Sequence, residues 1–189
     1  MRRVFSGLIV ATAAVISPAW IASSDQEAVK DFGAGRPATP EEIRAWNIDV
    51  SPSGEGLPPG RGTVEQGARI FAVKCAGCHG ATGTEGPKDR LVGGRNTLAS
   101  REPIKTIGSY WPYATTLYDY IYRAMPFTAP QSLSPDETYS VVAWLLYQNG
   151  IIDEGMVIDA RSLPTIAMPN RDGFIPDRRP DVPTHQEGR

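Results

Sequence analysis

Cysteine and histidine are scarce in this chain. Its 189 residues hold two of each. A zinc site needs four ligands, typically Cys and His. Three of these four residues fall within residues 75–79, and the fourth, His185, sits in the tail. That distribution argues against a zinc site. Positive charge is not in excess either. Nineteen Lys and Arg against 21 Asp and Glu give a formal charge of −2, with no basic footprint for nucleic acid. No internal repeat is visible, and no series of alternating strands, so a β architecture is not expected. Nothing resembles a signalling domain. What is present is an ordinary apolar content of 41%, enough to build a core. The 19 Gly and 17 Pro make up almost a fifth of the chain and predict much irregular, loop-rich structure.

The first residues read as an export signal, spanning 1–24. Arg2 and Arg3 form a basic start, and Val4 to Ala22 carries no charge. Small-residue cleavage patterns follow at Ser17-Pro18-Ala19 and Ala22-Ser23-Ser24. An uncleaved membrane anchor is the alternative, because an uncharged run of this length just spans a bilayer. Ser6, Gly7, Thr12, Ser17 and Pro18 interrupt the run and favour the signal. Removing it with Arg2 and Arg3 takes the formal charge from −2 to −4. Such a surface is expected to attract a basic partner, less so as salt rises.

Residues 25–62 read as an N-terminal extension. It holds one short helix, signalled by Thr39 as N-cap, Pro40 at N1 and Glu42 at N3. The stretch from Ser51 to Gly62 is rich in Ser, Gly and Pro, as in a linker or a surface strap. A stronger helix starts at Thr63, with Val64, Gly67, Ala68 and Phe71 on one face that leads to Cys75 and Cys78. Pro112 to Ala124 predicts another helix, with Leu117, Tyr120 and Ile121 as its apolar stripe. Ser134, Pro135 and Glu137 form a capping box for the last helix, which Asn149-Gly150 ends. Residues 151–189 carry five prolines and no sustained period, and are expected to be extended or, at the very end, disordered.

Residues 75–79 read Cys-Ala-Gly-Cys-His, the pattern through which c-type haem is attached. The spacing has a physical reason. Two thiols three residues apart reach the two vinyl groups on one edge of a porphyrin. The next residue then presents its imidazole to the iron. One covalent haem c is therefore expected on Cys75 and Cys78, with His79 as an axial ligand. A structural disulfide between the two cysteines and a thioredoxin-like redox pair are the competing readings. The latter needs a preceding strand and a parallel sheet, and neither is visible. An electron-transfer haem usually takes a strong sixth ligand, and methionine raises the potential. Met125, in Ala124-Met125-Pro126-Phe127 between two predicted helices, is the first candidate. Met156, Met168 and His185 are the others.

From Thr63 to Gly150 the chain resembles class I cytochromes c. The resemblance rests on Gly67 and Phe71, the Cys75–His79 motif, Gly86-Pro87, Met125-Pro126 and Trp144-Leu145. It implies an all-α fold with the first and last helices crossing at Gly67 beside Trp144. It also implies a proline carbonyl, at Pro87, that accepts a hydrogen bond from His79 and steadies the ring; a simple turn is the plainer role for Pro87. Tyr110, Trp111 and Tyr113 cluster before the Met125 helix. The resemblance places such residues at the haem edge, Trp111 among them, though core packing suits each as well. Arg95 is either a propionate partner or a solvated loop charge.

The stretches 109–120 and 123–127, with 38–43, 46–50, 56–60 and 169–174, are similar to cytochrome subunits of bacterial sulfur oxidation that partner a molybdenum sulfane or sulfite dehydrogenase. Such cytochromes often carry two haem domains, whereas this chain has a single C-x-x-C-H. The resemblance implies a periplasmic one-electron carrier. It would take electrons from a molybdenum-containing dehydrogenase subunit and pass them to a downstream cytochrome or oxidase. Membrane association is expected only if the signal stays uncleaved. A general periplasmic shuttle and a haem enzyme with an open iron are the alternative functions. The cytochrome domain is expected at 63–150, and the C-terminal extension at 151–189 would either wrap a partner or cover the protein's own surface.

Overall fold

The structure, a computed structural model, describes residues 35–175. The expected signal and His185 lie outside the described residues. The chain divides into Met1–Ala38 and Thr39–Arg189, and the second unit holds nearly all of the described residues. Its described part holds five helices and one two-stranded sheet, so the expected helical character holds broadly.

Helix α1 (Pro40–Trp46) forms where its local signals place it. Thr39 accepts from the Glu42 amide, and Glu42 accepts in return from the Thr39 amide. None of its residues is buried, and Trp46 is 86% exposed. The following segment is a strap rather than a free linker. Val50 is buried, and its amide donates to Asp119 Oδ1 at 2.8 Å. Thr115 Oγ1 donates to the Pro52 carbonyl at 3.1 Å, and the Tyr139 hydroxyl to the Pro58 carbonyl at 3.0 Å.

The strap runs into strand β1 (Arg61–Thr63) and then helix α2 (Val64–Lys74), capped by Thr63. Val64, Gly67 and Phe71 are its buried positions, spaced to share one helical face. That face meets α5 (Pro135–Gln148), whose capping box of Ser134 and Glu137 is the expected one. The helices touch at Gly67. A Cβ there would stand 1.9 Å from the Ser140 carbonyl oxygen and 2.7 Å from Trp144 Cβ, so only a glycine allows this approach. Phe71 and Trp144 close the crossing with ring centroids 4.0 Å apart. Helix α4 (Ala114–Ala124) starts two residues later than expected, because Tyr113 is still extended. It buries Leu117, Tyr118 and Ile121 against the same core. The short α3 (Ala76–His79) holds the attachment motif.

Residues 151–175 take the second of the two expected arrangements, cover of the protein's own surface. They are irregular but not detached. Strand β2 (Val157–Asp159) pairs antiparallel with β1, Gly62 opposite Ile158. Ile158 and Leu163 have no exposed surface, and Ile166 and Met168 are buried with them. The core therefore extends past both expected domain limits, from Val50 to Met168. Further on, Asn170 Nδ2 donates to the Tyr110 carbonyl at 2.8 Å, Phe174 packs edge-on to Tyr110, and Arg171 lies 4.4 Å from the Tyr113 ring centroid. The described part of this segment covers the protein's own surface. Prolines forbid regular helix here, but they do not forbid burial.

Candidate functional site

Helix α2 delivers its buried face to Cys75, which ends the helix and starts the single turn of α3. Cys75 is half-buried and Cys78 exposed, and both are free thiols. Burial pushes the Cys75 thiol up to about 11, against a smaller lowering by Lys74. A thiol held protonated in this way is a poor redox nucleophile. The only sheet among the described residues is a two-stranded antiparallel pair, so the thioredoxin-like setting is missing. No three His, Cys, Asp or Glu side chains gather among the described residues as a metal site.

His79 is half-buried, and its Nδ1 lies 2.8 Å from the Asp89 carbonyl oxygen. A carbonyl only accepts, so Nδ1 must carry the proton. The Nε2 lone pair is then left for a metal, and it has no hydrogen-bond partner among the described residues. Such an arrangement fixes the tautomer and raises ligand basicity. The expected acceptor, Pro87, is corrected here. Pro87 is exposed, and the carbonyl that reaches the ring is two residues further on. The chain reaches that position because the loop is docked on the motif itself. Gly86 lies so close to the Cys78–Gly80 backbone that a Cβ would meet Cys78 O at 2.2 Å. The Lys88 amide then donates to the Cys78 carbonyl at 3.0 Å. Pro87 sits between these two contacts and sets the turn, which leaves Asp89 O facing the imidazole. In the first part of the loop, Glu85 accepts from the hydroxyls of Thr82 and Thr84 at 2.6 Å each and from the amides of both. These bonds hold Glu85 down to about 2.

Met125 caps the end of α4, half-buried and packed on the core. Trp111 is also half-buried against the core, edge-on to Tyr120 at 5.8 Å. Of the competing methionines, Met168 is 3% exposed inside the core and Met156 lines a surface cleft with Ile151 and Ile152. Met168 thus has a packing role that accounts for it. Arg95 donates to the Asn149 carbonyl at 3.5 Å. Asn149 is a residue that sequence reasoning took only as a helix end. Its side chain bonds Gly93 N, Leu91 O and Leu145 O, and so ties the loop after Asp89 to the end of α5. An Asn-Gly helix stop was the signal, but its cross-chain partners were not readable.

The donor set suits a covalently held haem: two unlinked thiols three apart, then an imidazole with Nε2 free. Half-buried Ala76, Leu91, Trp111 and Met125 add apolar surface that is only partly covered by the core.

Comparison with known proteins agrees with this chemistry. The family model for cytochrome c oxidase, cbb3-type, subunit III matches residues 62–145. Among solved structures, the chain is similar to a chain of the sulfane dehydrogenase SoxCD from Paracoccus pantotrophus. The two are 47% identical with a TM-score of 0.73, over 79% of this chain and 74% of that one. No curated protein sequence matches.

Proposed function

The chain belongs to the cytochrome c family, an electron-transfer family, and from that premise we propose that it is a periplasmic single-electron carrier with one covalent haem c. The observation that carries the reading is the Cys75–His79 turn, with His79 Nδ1 donating to Asp89 O. When bound, the haem supplies an iron that cycles between ferric and ferrous. The protein does the rest. Cys75 and Cys78 would hold the group by thioether bonds. Asp89 O fixes the His79 ring through Nδ1, so that Nε2 would be the nitrogen offered to the iron. Met125 would offer its thioether sulfur to the iron, a donor that favours the reduced metal and raises the potential. Trp111 would add apolar cover, lowering the local dielectric and limiting the access of water to the metal.

The electron donor in this reading is a molybdenum-containing dehydrogenase subunit that oxidises sulfane or sulfite sulfur. The acceptor is a downstream cytochrome or oxidase. Likeness to SoxCD at 47% identity supports the donor. The export-type N-terminus and the haem-attachment chemistry support the periplasm. No helix among the described residues is long and apolar enough to cross a membrane.

Native purification tests the partner. The expected result is a co-purifying molybdenum subunit and reduction of the haem by sulfite or thiosulfate. Absence of both, with a reversible haem still present, would leave a general periplasmic shuttle. Met125→Ala tests the ligand. It should lower the potential and open the ferrous iron to carbon monoxide. An unchanged spectrum and potential would move the ligand elsewhere.

A further inference from the structure

Charge is unevenly placed around the His79 loop. Residues 88–105 carry Lys88, Arg90, Arg95, Arg101 and Lys105 against Asp89 and Glu102, a net +3. The other described residues from Thr39 onward, 39–87 and 106–175, hold seven Lys or Arg against thirteen Asp or Glu, a net −6. Pairing follows the same division. Five of those seven cations meet a carboxylate, as in Arg44–Glu41, Arg69–Glu65 and Lys74–Glu137. None of the five in 88–105 does so among the described residues, and all five are exposed.

The segment is also a closed lobe, so its charges stay together. The Ile107 amide donates to Leu91 O, Thr106 Oγ1 to Gly93 O, and the Ile104 amide to Thr97 Oγ1. Its root is Asp89, the residue whose carbonyl holds His79. The basic lobe is therefore built onto the loop that positions the axial ligand.

We infer that the lobe of residues 88–105 is the docking face for an acidic surface on an electron-transfer partner. An acidic molecule with one basic lobe is polarised, and an approaching acidic partner turns it lobe-first. That orientation places the His79 side of the protein at the contact. The overall negative charge, which alone pointed to a basic partner, is outweighed locally because focused charge governs encounter. The inference rests on the electron-carrier reading and adds the chemistry of its partner.

Salt dependence of electron exchange tests it on the haem-loaded full chain. The probe is hexacyanoferrate(III), with poly-L-glutamate as a stand-in for an acidic protein face. The wild-type rate should fall as salt rises, and poly-L-glutamate should slow it. The triple variant Lys88→Glu, Arg101→Glu, Lys105→Glu should react about 10-fold more slowly at low salt and lose the inhibition. The surface control Glu55→Lys should behave as wild type. A wild-type rate that rises with salt, or a triple variant that matches it, would overturn the inference. Equal slowing by poly-L-glutamate and by orthophosphate at the same ionic strength would also overturn it, since that marks a small-anion site. Voltammetry separates the two levels. A reversible one-electron wave with no lobe effect sinks only the docking face, whereas no wave sinks the carrier reading.

Discussion

Gly67→Ala asks whether the α2–α5 crossing sets the stability of the fold. The added methyl would stand 1.9 Å from the Ser140 carbonyl oxygen, 2.6 Å from its carbon and 2.7 Å from Trp144 Cβ. Relaxed contacts between such atoms lie near 3.5 Å. The nearest obstacle is helix backbone, which cannot rotate away as a side chain could. The helices would have to part by about 1.5 Å, and a gap of only about 1 Å already forfeits up to about half of each dispersion contact. The Phe71–Trp144 stack lies on the same crossing and would loosen with it. Alanine returns about 1 kcal/mol of helix propensity over glycine. Overpacking of this kind costs about 3 kcal/mol, so the net loss is about 2 kcal/mol. Guanidinium unfolding of the haem-loaded protein, followed by far-ultraviolet circular dichroism, reads it as a lower midpoint at constant slope. Gly155→Ala is the control, because a Cβ there meets nothing within 4 Å. A Gly67→Ala midpoint equal to or above wild type would refute the close crossing.

Three other expectations follow from the same contacts. Leu163→Ala should cost about 2–5 kcal/mol, because Leu163 is fully buried; a change near zero would return residues 151–175 to the surface. Asp119→Ala removes the acceptor for the buried Val50 amide, and should cost about 1–3 kcal/mol and expose the strap to proteolysis. Glu85 is held from 4.5 down to about 2 by Thr82 and then Thr84, so the folded state favours its carboxylate. That preference is present above about pH 4.5 and is lost as pH falls towards 2. The stability gap between wild type and Glu85→Gln should therefore shrink across that window, and a gap independent of pH would contradict the loop geometry.

What the sequence made legible was local. Thr39 with Glu42 and Ser134 with Glu137 each signal a helix start within four residues, and both boxes formed as expected. The Cys-Ala-Gly-Cys-His run carries its chemistry in its spacing alone. Resemblance to a family supplied the Gly67–Trp144 crossing, which no local pattern dictates. What stayed hidden was non-local. Three-residue strands at 61–63 and 157–159 are too short to show a period, and their pairing joins distant parts of the chain. Ile158, Leu163, Ile166 and Met168 are buried at irregular spacings between prolines, so no periodicity marked them as core. The acceptor for His79 was placed two residues early, at Pro87. Its true position depends on Gly86 lying against the Cys78–Gly80 backbone, a contact visible only in three dimensions.

In the proposed reading, Cys75, Cys78 and His79 hold one redox-active haem. The most direct test is denaturing mass spectrometry of protein matured with c-type haem attachment, coupled to voltammetry of the same sample. The expected result is one haem per chain that survives denaturation, is attached to the peptide containing Cys75 and Cys78, and gives a reversible one-electron wave. A haem-free chain with those cysteines joined as a disulfide, or a bound haem that gives no reversible wave, would contradict it.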